Sequence, residues 1–121
     1  MYEYNVLNLE VIDGDSVRFD IDLGFGIILR DQVMRLSSID AFEIRRTKRA
    51  KDQAKMLGIT LDEVIERGKM AKKRLNEIVE NQKVSVRIEK RGKFGRHVGE
   101  LLVDNVYPAE SLIEEDLAFD Y

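Results

Sequence analysis

A chain of 121 residues with 44% hydrophobic content is long enough for one modest core, lacks the composition of a disordered segment, and is expected to form a single domain over 1–121. No cysteine and one histidine, His97, exclude a disulfide framework and leave little for a zinc site, a two-histidine ribonuclease or a Ser-His-Asp catalyst. The net charge of −3 is segregated: residues 44–96 hold 17 lysines and arginines against 7 acidic residues, a basic middle that suits nucleic acid or, equally, a solvated helix with loops.

Met1 runs straight into strand-like sequence without a basic n-region, apolar h-region or small-residue cleavage site, so the chain as given is expected to be cytoplasmic. No stretch approaches the roughly 18 apolar residues of a membrane span. Leu7, Leu9 and Val11 alternate with polar residues, as do Val17, Phe19, Ile21 and Leu23, which predicts two antiparallel strands turned at Asp13-Gly14. Gly24-Phe25-Gly26 turns the chain into a third strand from Ile27 to about Leu36. Arg35 shares its parity with Ile27, Leu29 and Val33, which puts a guanidinium on an otherwise apolar face in need of an anionic partner, Asp31 or another carboxylate.

Residues 44–57 are basic and end at Gly58, as a short helix or a loop would. Thr60 and Glu63 form a capping box, after which apolar residues recur at helical spacing to about Gln82, with Gly68 and Ala71 on the apolar face. Those small residues suggest close approach to the sheet. Val84, Val86 and Ile88 predict a fourth strand, residues 98–103 a fifth, and Pro108 opens a last helix continuing to near Ala118. The expected fold is α+β, mainly β: a five-stranded OB-fold Greek-key barrel with two or three helices.

Three clusters carry candidate chemistry. Asp13-Gly14-Asp15 is first a turn, but Asp15 at the start of a strand can also point a carboxylate into a concave surface. Asp40 and Glu43 are spaced as a capping box and also as a pair of oxygen donors. Lys93-Phe94-Gly95-Arg96 reads as a polar hairpin or as a phosphate contact. Carboxylates that bind a hard cation, joined with arginines that clamp phosphoryl oxygens, match the needs of phosphodiester hydrolysis. An EF-hand over Asp20–Asp31 is rejected, because Phe25 stands where the loop needs glycine.

In order, Val11 to Val17, Ile21 to Gly26, Arg35 to Glu43, Gly68-Lys69-Met70-Ala71, Lys93 to Arg96 and Leu112 to Ala118 resemble the staphylococcal nuclease (thermonuclease-like) family across nearly the whole chain. The resemblance implies the same OB barrel and a calcium-dependent nuclease acting on single-stranded DNA or RNA. Water attack at phosphorus would give 3′-phosphate products. It implies Ca²⁺ held by Asp15, Asp40 and the Ala41 carbonyl, with Mg²⁺ and Mn²⁺ open as alternatives, and Asp13 supporting the metal site from behind. Glu43 would position or deprotonate the water, Arg35 and Arg96 would contact the scissile phosphate, and Lys93 and Phe94 would meet the nucleic acid. The pattern departs in places: Phe42 stands where the family has proline, Phe94 stands for a common tyrosine, and 44–60 is a basic insertion that could clamp nucleic acid or add a helix. A noncatalytic OB module that binds single-stranded nucleic acid or protein is the alternative. It would survive chelation, whereas turnover would not.

Overall fold

The structure is a computed structural model that describes residues 2–91 and 95–121. The alternating segments form β1 (Tyr2–Asp13), β2 (Ser16–Gly24), β3 (Ile27–Leu36), β5 (Val84–Arg91) and β6 (His97–Val103), with a three-residue strand, β4 (Ile39–Ala41), between β3 and the helices. Five of them close a barrel in the order β1-β2-β3-β6-β5, sealed by β5 against β1. Every barrel pairing is antiparallel except β3 with β6, which run parallel over Met34–Leu36. This is the expected OB-type barrel. Val17, Phe19, Met34, Leu36, Val86 and Leu101 fill it, each almost wholly buried.

The apolar face of β3 is not the one its early residues suggest. Asp31 sits at φ 56° where the pairing slips between Phe19 and Ile21, a bulge that breaks the alternation running in from Ile27. Met34 and Leu36 turn into the barrel, whereas Ile27 and Leu29 are exposed. Arg35 therefore lies on the outer parity, beside the barrel rather than in its core. Its partners are Asp40 and Asp15, and Asp31 pairs with Arg18 instead.

The basic segment after β4 is a helix, α1 (Lys48–Leu57), opened by Thr47, whose Oγ1 accepts from the Ala50 N–H, and closed by Gly58 at φ 66°. α2 (Leu61–Val79) begins at the expected Thr60 cap, with Thr60 Oγ1 accepting from the Glu63 N–H at 3.1 Å. It stops short of Gln82 because Asn81 turns left-handed. Its stripe of Val64, Gly68, Ala71, Leu75 and Val79 is buried. Ala71, Leu75 and Val79 meet the barrel core, while Val64 joins Phe42, Ala50 and Ala54 in a smaller core under α1.

α3 (Pro108–Glu114) has proline in its first turn, as expected, but ends well before Ala118. Asp116 at φ 57° reverses the chain, and residues 118–120 form β7 (Ala118–Asp120), which pairs antiparallel with β4. That pairing requires extended backbone where the helix was expected to continue. Asp40 is thus a strand residue, and the nearest helix is capped by Thr47, so Asp40 and Glu43 do not form a capping box.

Candidate active site

The turn between β1 and β2 is Gly14-Asp15, held by the Asp15 N–H donating to Asp13 Oδ1 at 3.1 Å. Asp15 accordingly sits in the turn, one residue before the strand. Neither turn residue has positive φ, so glycine is not there for backbone freedom. A Cβ at Gly14 would lie 2.8 Å from the β-carbons of both Ala41 and Ala71, and only a bare Cα lets the turn nest between β4 and α2. That nesting buries Asp15 to 9% exposure. Its Oδ2 accepts from the Ala41 N–H at 2.9 Å and its Oδ1 from the Ser16 hydroxyl at 3.1 Å.

Arg35 reaches over the same carboxylate. Its Nη2 lies 3.3 Å from Asp40 Oδ1 and 4.0 Å from Asp15 Oδ2, and its Nη1 donates to the Leu36 carbonyl at 3.0 Å. The guanidinium is further fixed 4.2 Å from the centre of the Tyr121 ring. Burial, then the nearby Asp13, push the Asp15 carboxyl up to about 6, against the opposing pull of the Ala41 N–H and Arg35.

Glu43 follows β4 on a loop whose backbone is gripped from both sides. The buried Gln53 of α1 accepts from the Glu43 N–H at 3.0 Å and donates to the Ala41 carbonyl at 3.2 Å. From the other side α2 presses in at Gly68, where an added Cβ would lie 2.3 Å from the Glu43 carbonyl oxygen. Close approach of α2 to the sheet, expected at Gly68 and Ala71, occurs at Ala71, which meets the β1–β2 turn and the barrel core; at Gly68 the approach is instead to the loop that carries Glu43. Arg49, also on α1, pairs with Asp40 and lies 3.8 Å from Glu43 Oε1.

A cavity of about 230 Å³, almost wholly polar, brings together Asp13, Asp15, Arg35, Ala41, Glu43 and Arg96, joined by Ser16, Phe42 and Arg49. Asp40 does not line it, being held between Arg35 and Arg49. Lys93 and Phe94 lie outside the described residues. Sequence reasoning missed Arg49 and Gln53 as members of the site. A cluster of basic residues at 45–51 was the only sign of the first, and nothing local marks the second. In donor type the site suits a hard cation: two carboxylates and a carbonyl, all oxygen, with the charge on Asp15 already disfavoured by burial and then by Asp13. No group of three or more His, Cys, Asp or Glu side chains converges closely enough for a metal among the described residues. Such an ion would lean on the Ala41 carbonyl and would compete with Arg35 and Arg49 for the carboxylates.

A closed five-stranded barrel with carboxylates and arginines around one polar cavity places the chain among OB-type α+β domains. The family model of staphylococcal nuclease homologues matches residues 33–121, and the chain belongs to that family. Its fold is thus of nuclease type. The matched span holds Arg35, Asp40, Ala41, Glu43 and Arg96, whereas Asp13 and Asp15 precede it. Comparison with the curated proteins finds no match. No helix among the described residues is long and apolar enough to cross a membrane.

Proposed function

We propose that this chain is a metal-dependent phosphodiesterase that hydrolyses DNA or RNA by water attack at phosphorus, leaving 3′-phosphate ends. The observation that carries this reading is the convergence of Asp15, Arg35, Glu43 and Arg96, from four separate segments, on one polar cavity. Asp15, Asp40 and the Ala41 carbonyl would hold a divalent cation, Ca²⁺ first among the candidates, with Asp13 bracing the Asp15 turn from behind. When bound, that ion supplies Lewis-acid polarisation of a phosphoryl oxygen and a template for the substrate.

The chain's own groups do the rest. Arg35 and Arg96 bind the scissile phosphate and meet the negative charge that grows on its oxygens as the bond to water forms and the P–O5′ bond breaks, the 5′-oxygen leaving to take up a proton from solvent. Glu43 orients that water and takes its proton. Arg35 is preorganised for this by Leu36, Tyr121 and the two aspartates, so little reorganisation remains at the moment of reaction. Arg49 shares the Glu43 carboxylate. A substrate phosphate that draws Arg49 away would free Glu43 to act as a base.

The test is cleavage of end-labelled single-stranded DNA and RNA by wild type and Glu43→Gln, each with Ca²⁺, Mg²⁺ or EDTA, with the product ends analysed. The expected result is cation-dependent 3′-phosphate product in wild type and a rate lower by about 10²–10⁴ in the variant, the usual span for loss of a general base. Substrate left intact with every metal, with binding retained in EDTA, would establish a noncatalytic binding module instead.

A further inference from the structure

The polar cavity does not end at Glu43. A second cavity of about 480 Å³ shares Asp13 and Glu43 with it and continues past Ile44 to Lys72. A third, of about 630 Å³, shares Glu10, Val11, Ile44 and Lys72 with the second and runs on to Lys69 and Lys73. The second and third form a groove between β1 and α2 that adjoins the first at Asp13 and Glu43. The cavity at the Glu43 end mixes carboxylates with Arg35, Arg49 and Arg96, and the far end of the groove sets Lys69, Lys72 and Lys73 against the single carboxylate of Glu10. Lys69, Lys72, Lys73 and Asn76 fall at i, i+3, i+4 and i+7, one face of α2 beside its buried stripe.

The arginines lining the groove and the adjoining cavity are largely committed, Arg18 to Asp31 and Arg35 and Arg49 to Asp40, but the groove's lysines are not. Among the described residues, the ion pairs are made by arginines, and none involves Lys69, Lys72, Lys73 or Arg45. Lysine ammonium groups left facing a groove attract anions, and a row of them suits a polymer of phosphates better than one phosphate. Gly68 and Ala71, interleaved with these lysines, seat α2 against the Asp13–Asp15 turn and the Glu43 loop. The same helix therefore fixes both the lysine row and the cavity where the row leads.

We propose that this β1–α2 groove is the track for the sugar–phosphate backbone of a nucleic-acid strand, on one side of the phosphate held at Arg35 and Arg96. The inference rests on the nuclease reading only for where the scissile phosphate lies. It makes the preferred ligand a polynucleotide several residues long and not a dinucleotide or small diester.

The experiment is fluorescence anisotropy in EDTA with labelled single-stranded oligonucleotides of about 4 and about 16 nucleotides, the bounds of site size for OB folds. It compares wild type, the groove variant Lys69→Gln/Lys72→Gln/Lys73→Gln, and a charge-matched control, Lys48→Gln/Lys51→Gln/Lys55→Gln, on the exposed face of α1. All six side chains are exposed, so neither variant disturbs packing. The groove variant is expected to bind the long strand at least tenfold more weakly at low salt. Its slope of log K against log salt is expected to fall by about 2, at roughly 0.7 per lost contact. The control and the short strand are expected to change little, and RNA of the same lengths shows which sugar the groove prefers. Equal slopes for all three proteins, equal losses in both variants, or no binding of the long strand by wild type would overturn the proposal. Binding in EDTA by a protein that leaves the same strand uncut once Ca²⁺, Mg²⁺ or Mn²⁺ is supplied would overturn the nuclease reading and leave the groove standing.

Discussion

Asp15 is a carboxylate folded into a place that disfavours its charge, with its pKa pushed up to about 6 from 3.8 by burial and by Asp13. The folded chain therefore holds a proton between those values that the unfolded chain has released. Stability gained from this group is full below about 3.8 and is lost as pH rises through 6. In EDTA, wild type is expected to gain stability relative to Asp15→Asn as pH falls from 7 to 5, because the amide carries no such proton. Urea unfolding of both proteins at the two pH values measures the difference. A gap that widens against wild type on acidification would show that Asp15 is not held in this way. The crowding is also what a cation would relieve, so the strain at Asp15 and the proposed metal site have one cause.

The elements position Glu43 more tightly than its own sequence does. Phe42, unlike a proline, leaves φ free before Glu43, and the constraint comes from elsewhere: Gln53 of α1 bonds across Ala41 and Glu43, and α2 abuts the loop at Gly68. Gly68→Ala would set a Cβ 2.3 Å from the Glu43 carbonyl oxygen and 2.8 Å from that of Phe42, so helix or loop must move. The expected cost is about 1–3 kcal/mol of stability, with a further loss of turnover in the fully folded protein as Glu43 shifts. Gly24→Ala is the control: nothing lies within 4 Å of its Cβ, but its φ of +82° makes the change a backbone penalty of about 1–2 kcal/mol far from the site. Denaturation midpoints and turnover at equal folded fraction separate the two. Wild-type turnover in folded Gly68→Ala would mean that α2 does not set the position of Glu43. The Thr60 cap, the Pro108 start and the barrel strands were legible because each signal is local. The outward parity of Arg35 was not, since the Asp31 bulge depends on how β3 pairs with β2, and an alternation count cannot see it. Gln53 was illegible for a related reason: its partners lie ten and twelve residues away across a tertiary contact. β4 and β7, three residues each, are too short to show a period.

At the scale of the molecule, the proposed cation site exists only when the barrel is closed. Asp15 comes from the first hairpin, Asp40 and Ala41 from β4, and β4 is held in place by β7 near the end of the chain. The unfolded chain scatters these donors, so a cation that binds them stabilises the fold by mass action, by about 2.7 kcal/mol at a free concentration 100 times Kd. Saturating Ca²⁺ is accordingly expected to raise the thermal midpoint of wild type by several degrees and to leave Asp40→Asn unmoved. Arg49 opposes that binding, because its guanidinium occupies Asp40 and attends Glu43. Arg49→Gln is therefore expected to show the same rise at a lower Ca²⁺ concentration than wild type, read as a leftward shift of the midpoint against calcium titration. An equal rise in Asp40→Asn would place the ion elsewhere. An unshifted titration in Arg49→Gln would mean that α1 stands beside the site without competing for it.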